Sequence, residues 1–182
     1  MISYAEYRPA AELAPWVARL WRFVVVGSAR EHRDHRVTPD GGVSLAWSRR
    51  EGPLLIGPHL APFHPSLRRG DHLWGIRFWP GAAAPVLRVE PASLRDRIVP
   101  AGAAVPARIV EALAEGMDHV TRPQHEPEPP ASREAEALTM LAGVAGAAVS
   151  DPGADEPDAL VMHAVFRQLR ADGREAIHAI AE

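Results

Sequence analysis

The chain contains no cysteine, and that absence removes several classes of protein at once. Without thiols there is no disulfide framework, no cysteine nucleophile and no thiolate metal ligand. Lysine and asparagine are missing too, so all 20 basic residues are arginines, which we interpret as a compositional bias of the whole chain rather than as a binding site. The net charge of −3 also argues against strong nucleic-acid binding by this chain, because domains that grip phosphate backbones usually carry a basic excess.

Long apolar runs are lacking as well. No stretch reaches the roughly 20 residues needed to cross a bilayer, and the first six residues show no basic region followed by an apolar one. We therefore expect a cytoplasmic protein with no membrane partner. A Gly-x-Ser-x-Gly elbow, a phosphate-binding glycine loop and a His-Glu-x-x-His pair are also absent. The sequence thus predicts no enzymatic activity, no catalytic residue, no cofactor and no bound metal.

The composition changes near residue 100. The first hundred residues are rich in tryptophan, β-branched residues, glycine and proline, whereas the rest is rich in alanine with helical spacing. Short apolar segments bounded by turn residues predict β-strands, so we expect an α+β chain. The turn Pro39-Asp40-Gly41-Gly42 is predicted to join two of the strands as a hairpin, because glycine accepts the positive φ of tight turns. The expected strands span residues 17–26, 35–38, 43–48, 54–57 and 72–79, with short helices at 82–89 and 91–97.

Two longer helices are predicted beyond residue 100, at 105–120 and 133–149. Each carries an apolar stripe at helical spacing, and a proline-rich break at 123–130 separates them. One interpretation is that these stripes cover the strands of the first hundred residues. The other, which we slightly favour, is a homodimer contact. Its candidate residues are Ile109, Leu113, Met117, Leu138 and Leu141.

Four segments, in order along the chain, carry a family resemblance. Gly75-Ile76-Arg77-Phe78-Trp79-Pro80-Gly81 is the most distinctive, and Tyr7-Arg8-Pro9, Pro39-Asp40-Gly41 and Gly57-Pro58 precede it. Together they resemble the N-terminal sensor region of AraC-type helix-turn-helix transcription regulators. Residues 161–181 are similar to the last linker helix and the opening of the first helix-turn-helix of that family.

The resemblance implies an architecture and a function. Residues 1–100 would form a cupin-like antiparallel β-barrel or half-barrel, 101–156 a helical linker and dimerisation region, and 157–182 the start of a truncated helix-turn-helix domain. The chain would then sense a small-molecule effector of unknown identity and form a homodimer. DNA would be a partner only through the C-terminal domain absent from this chain.

The effector site is expected around Trp47, Trp74, Arg77 and Asp40. Aromatic walls with a few polar groups are typical of small-molecule sites, and strand alternation places Arg77 on the face opposite its two neighbours. Arg77 would either form an ion pair with Asp40 or bind an anionic effector. The other interpretation, which the ordinary packing of large aromatics favours, is that the tryptophans fill the core and Arg77 makes a structural bridge.

The nine histidines leave a metal-binding alternative open. His59, His64 and His72 lie in or near a proline-rich segment, and His32 and His35 lie three residues apart in a charged one. Converging imidazoles bind transition metals, but spacing alone does not fix their geometry, and solvent-exposed loop histidines are the favoured interpretation. A stand-alone cupin-like metal-binding protein or enzyme is therefore the second hypothesis. A purely structural dimerisation module with a filled barrel is the third.

Overall fold

The computed structural model describes residues 2–25, 35–121 and 130–149. Within these residues, six strands precede two long helices, in the order that the change of composition predicts. The strands are β1 (Ile2–Tyr7), β2 (Val17–Val25), β3 (Ser44–Ser48), β4 (Gly52–Ile56), β5 (His72–Phe78) and β6 (Ile98–Pro100). The helices are α1 (Ala83–Leu87), α2 (Ala107–Thr121) and α3 (Pro130–Val149), with short 3-10 turns at Pro91–Leu94 and Ala101–Ala103.

The strands form one open antiparallel sheet in the order β1-β2-β5-β3-β4-β6. Every pairing between neighbours is antiparallel, so the predicted α+β class is confirmed. The distinctive segment that begins at Gly75 supplies the last four residues of β5, which lies inside the sheet between β2 and β3. The edges are β1, which pairs with β2, and the three-residue β6, which pairs with β4.

Two local expectations were wrong. The hairpin predicted around Pro39-Asp40-Gly41-Gly42 does not form, because β3 pairs with β4 and β5 while Val37 makes an isolated bridge to Phe63. The turn itself is present, with Gly41 at φ +68° and the Asp40 carboxylate accepting a hydrogen bond from the Gly42 amide. The sequence pattern also missed β1, whose side chains are only partly buried.

One face of the sheet carries the main core, and the helices cover it. Strand alternation turns a row of large apolar side chains toward α2 and α3, and most of these side chains are at most 3% exposed. The sheet contributes Leu20, Leu45, Trp47, Leu55, Trp74, Ile76 and Phe78, and the helices contribute Ile109, Leu113, Met117, Leu141 and Val144.

The opposite face carries a smaller apolar cluster built from Trp21, Phe23, Val25, Ala46 and Leu54. The described helices do not pack there. Instead, residues 35–42 and 57–67 lie beside it and help to enclose a cavity. The sheet therefore separates a helix-packed core from a loop-covered face.

The five predicted dimer-contact residues lie inside the chain's own fold. Ile109, Leu113, Met117 and Leu141 are 0–2% exposed, and the partly buried Leu138 packs against the same core. The interpretation that the helices cover the sheet therefore accounts for these five side chains, and the homodimer stays a prediction. The predicted start of a helix-turn-helix at 157–182 lies outside the described residues, and the boundaries of the three predicted regions stay predictions too.

Gly57 provides a test of the close approach between β4 and the 3-10 turn that precedes β6. A Cβ atom at Gly57 would lie 1.8 Å from the Leu94 carbonyl oxygen, and that backbone atom cannot move alone. We expect Gly57→Ala to lower the free energy of unfolding by about 3 kcal/mol, measured by urea denaturation. Gly143→Ala is the matched control, because a Cβ there meets nothing within 4 Å and alanine favours the helix. Equal stabilities of the two variants would contradict the packing described here.

Candidate functional site

A cavity of about 530 Å³ lies on the loop-covered face of the sheet. Its volume is within the range of about 300–1,000 Å³ found for small-molecule sites. Strands β1, β2, β5, β3 and β4 form its floor, and residues 35–42 and 57–67 contribute to its walls. Its apolar side chains include Phe23, Ile56, Phe63, Leu67, Leu73 and Ile98.

Trp21 occupies the floor of the cavity because residue 75 on the neighbouring strand is a glycine. The two residues are cross-strand partners, and a Cβ atom at Gly75 would lie 2.3 Å from the indole ring. The absence of a side chain at Gly75 therefore leaves the space that the indole ring occupies. The indole Nε1 is buried and has no hydrogen-bond partner among the described residues.

Aromatic rings line the loop side of the cavity. His59 stacks on Phe63 with 3.9 Å between ring centroids and 17° between ring planes. The His59 Nδ1 lies 3.0 Å from the Gly57 carbonyl oxygen, and since a carbonyl oxygen only accepts, this nitrogen carries the proton. Phe23 meets His35 in a tilted contact with 5.1 Å between centroids. These flat surfaces suit a ligand with an apolar or aromatic body.

Arg77 organises the polar end of the cavity. Its Nε lies 2.9 Å from Asp40 Oδ2, its Nη1 lies 2.9 Å from Glu6 Oε1, and its Nη2 donates to the Tyr4 hydroxyl at 3.1 Å. The predicted ion pair between Arg77 and Asp40 is therefore confirmed. Arg19 adds a second cation, with its Nε 3.5 Å from Glu6 Oε2. We call Tyr4, Glu6, Asp40 and Arg77 the polar cluster.

The polar cluster keeps Arg77 charged and Tyr4 protonated. Burial alone lowers the pKa of Arg77, but the charge of Asp40, together with Tyr4 and Glu6, outweighs that effect and raises the pKa above its usual value. Burial and the hydrogen bond to Glu6 raise the pKa of Tyr4 to about 12. The Tyr4 hydroxyl thus stays protonated and donates to Glu6 Oε1 at 2.5 Å.

The structure separates the four predicted effector residues. Asp40 and Arg77 meet in the polar cluster, whereas Trp47 and Trp74 are cross-strand partners on the opposite, helix-covered face, each 3% exposed. The interpretation that these two tryptophans fill the core accounts for their position. Sequence reasoning instead overlooked Trp21 and Phe23, although their alternation along β2 puts both on the same face.

The three histidines of the metal-binding alternative do not converge. His59 lines the cavity, His64 is exposed, and His72 shares the opposite face of β5 with Trp74, 5.7 Å away between ring centroids. Among residues 2–25, 35–121 and 130–149, no group of three potential metal ligands comes together. His32 lies outside the described residues, so a metal site that includes His32 and His35 stays a prediction.

On the other face of the sheet, a separate group of polar contacts joins the sheet to α3. The Tyr7 hydroxyl donates to Glu134 Oε1, and Arg22 Nη1 lies 2.6 Å from Glu134 Oε2. Burial and the hydrogen bond to Glu134 raise the pKa of Tyr7 to about 12, which keeps this hydroxyl a donor. Glu6 and Tyr7 are consecutive in β1, so one edge strand touches the polar cluster on one face and α3 on the other.

Comparison with known proteins yields one match. The model of a family described as "Domain of unknown function (DUF6597)" matches residues 5–100, which is more than half of the chain and includes nearly the whole sheet. No curated protein matches the chain, and no solved structure does. In the part of the chain that the structure describes, none of the helices has the length and apolar character to cross a membrane.

Removing Arg77 tests the polar cluster. Arg77→Met leaves the Glu6 and Asp40 carboxylates without their shared cation, so we expect the free energy of unfolding to fall by about 1–2 kcal/mol for these partly exposed groups. Urea denaturation at pH 7 measures the change. Arg69→Met, in an exposed turn, is the control and should change stability by less than about 0.5 kcal/mol. A similarly small effect of Arg77→Met would show that the cluster does not hold the sheet and loop together.

The environment of His72 predicts a pH dependence. Burial, reinforced by the charges of Arg22 and Arg49, lowers the pKa of His72 from 6.5 to about 4. The unfolded chain then binds more protons than the folded chain between these two values, so the contribution of His72 to stability rises with pH from about 4 to 6.5. In His72→Gln this rise should disappear, whereas His64→Gln, at an exposed position, should keep it. A constant stability difference between wild type and His72→Gln from pH 4 to 7 would contradict the prediction.

Proposed function

The chain belongs to the family described as "Domain of unknown function (DUF6597)", and we propose that here the domain is the effector-sensing region of an AraC-type transcription regulator. In this proposal the open sheet and its loops act as a cupin-like half-barrel that binds a small molecule. The chain forms a homodimer, and the helices carry the effect of the ligand to a helix-turn-helix domain outside the chain.

The cavity of about 530 Å³ is the observation that carries the proposal. It combines apolar and aromatic walls with a polar cluster at one end, which is the usual composition of a small-molecule site. The carboxylates of the cluster are engaged by arginine, whereas a general acid or base must exchange protons with a substrate. Binding suits this arrangement better than catalysis does.

The position of the sequence motifs supports the same proposal. The segment from Gly75 to Gly81 and the turn Pro39-Asp40-Gly41 carry the resemblance to AraC-type sensors, and they meet in space at the ion pair between Arg77 and Asp40. In the first segment, Gly75 makes room for Trp21 and Arg77 joins the polar cluster. Both segments therefore contribute to the cavity rather than to separate parts of the surface.

Strand β1 contacts both the cavity and α3, so a change at the cavity can be transmitted to the helices through it. Glu6 contacts Arg77 on the cavity face, and the next residue, Tyr7, contacts Glu134 of α3 on the other face. A ligand that changes the position of Glu6 therefore acts on a strand that also holds α3. Such a ligand shifts the population of two helix arrangements only if it binds one of them more tightly.

Ligand binding can be tested with a chemically diverse library of small molecules on the purified chain. We expect at least one compound to raise the melting temperature by linkage and to change the fluorescence of Trp21 in the cavity. Ser44→Leu should weaken both effects, because Ser44 lines the cavity opposite Arg77 and the larger side chain takes up part of its volume. Ala112→Leu, on the exposed side of α2, should keep both. If every hit binds the Ser44→Leu variant as tightly as it binds the wild-type chain, the cavity is not the site.

The regulatory part of the proposal needs a DNA-binding readout. The chain is fused to the helix-turn-helix domain of a characterised AraC-type regulator, and a hit compound is added to an operator-binding assay. We expect the compound to change operator affinity, and Tyr7→Phe to weaken this response while the compound still binds. Thr139→Ala, whose hydroxyl bonds within α3, is the matched control and should respond normally. A bound compound that leaves operator affinity unchanged in every fusion would overturn the regulatory role.

A further inference from the structure

We infer that the cavity selects an uncharged, largely apolar ligand and discriminates against both organic anions and organic cations. The inference rests on the proposed function of the cavity as an effector site and specifies the chemical class of the effector. It follows from the way in which the charges of the polar cluster are already matched.

Arg77 is the obvious group to bind an anion, but its charge is already engaged. Asp40 and Glu6 each place a carboxylate oxygen 2.9 Å from the guanidinium, and the Tyr4 hydroxyl accepts from a third nitrogen at 3.1 Å. An anionic ligand would have to displace one of these carboxylates or lie beside both. Like charges held this close repel each other strongly where water is partly excluded.

The two carboxylates are equally engaged, which disfavours a cation. Asp40 Oδ2 faces Arg77, and Asp40 Oδ1 accepts from the Gly42 amide at 3.0 Å. Glu6 Oε1 accepts from Arg77 and Tyr4, and Glu6 Oε2 faces Arg19. A cationic ligand would therefore compete with guanidinium groups already held by the fold.

The remaining lining leaves no excess charge. Two acidic residues, Glu6 and Asp40, and two arginines, Arg36 and Arg77, line the cavity, so their formal charges cancel. Arg36 is exposed, so water screens its charge, but Arg19 outside the lining also matches Glu6, with its Nε 3.5 Å from Glu6 Oε2. The rest of the lining is mainly apolar, and transferring an unpaired charge into such surroundings costs several kcal/mol. An uncharged ligand with an apolar body avoids that cost.

The test compares matched triplets of compounds that share an apolar body and differ in charge. One triplet is 4-methylacetophenone, 4-methylbenzoate and 4-methylbenzylammonium, and two others replace the 4-methylphenyl body with 4-tert-butylphenyl or 2-naphthyl. Isothermal titration calorimetry at pH 7 measures Kd for the wild-type chain. We expect at least one ketone to bind at least tenfold more tightly than its anionic and cationic counterparts, and the Ser44→Leu variant to bind that ketone more weakly.

Removing the carboxylates should reverse the discrimination. In the double variant Glu6→Gln and Asp40→Asn, the positive charge of Arg77 is no longer matched, so we expect the affinity for the benzoate to rise about tenfold, as a charge-assisted hydrogen bond predicts. The affinity for the ketone should change much less. Glu51→Gln is the control, because Glu51 is exposed and pairs with Arg50 away from the cavity. Glu6→Gln alone keeps the contact between Asp40 and Arg77 and provides a second, milder variant if the double variant unfolds.

The outcomes separate this inference from the proposed function. Tighter binding of a benzoate or an ammonium compound by the wild-type cavity would overturn the inference and leave the effector site intact. An unchanged affinity for the benzoate in both carboxylate variants would also overturn it. If no member of any triplet binds, and the diverse library gives no cavity ligand either, both the inference and the proposed function fail.

Discussion

The contacts of Arg77 are the constraint on which the cavity depends. This residue lies in β5, inside the sheet, and its guanidinium reaches both the edge strand β1 through Glu6 and the loop before β3 through Asp40. Among the described residues the backbone does not join these two partners directly, because there β1 pairs with β2 alone and the loop forms no hairpin with β3. The Arg77 side chain therefore connects β1 to the loop before β3, and both line the cavity.

The two faces of the sheet differ in how they are covered. The helix-covered face packs Trp47, Trp74 and Phe78 at 0–3% exposure, and burial of such side chains is the main favourable contribution to folding. The other face leaves part of its surface to a cavity, so it contributes less to the core. Gly75 helps to shape this cavity-bearing face, because the absence of a side chain there leaves room for the Trp21 ring.

Sequence reasoning found the ion pair because both of its partners follow local rules: alternation along β5 sets the face of Arg77, and the Asp-Gly turn sets Asp40. It wrongly predicted a hairpin at this turn and did not find that β3 pairs with β4 and β5. A turn signal is local, whereas strand pairing depends on the whole sheet. Sequence reasoning left Trp47 and Trp74 between an effector site and the core, because alternation separates the two faces of a strand without saying which face the helices cover. Strand β1 was missed because its partly exposed residues give a weak apolar pattern.

The contacts of the polar cluster are weak enough for a bound ligand to break, whereas the contacts of the core are not. The side chains of Arg77 and Asp40 are 26% and 45% exposed, so each ion pair contributes on the order of 1 kcal/mol. A tenfold difference in affinity between two arrangements is worth about 1.4 kcal/mol, enough to outweigh one such contact. Displacing a buried leucine of α2 would cost about 2–5 kcal/mol. Under the proposed function, an effector therefore acts first on the contacts of Arg77 and Glu6, and the helices follow through β1.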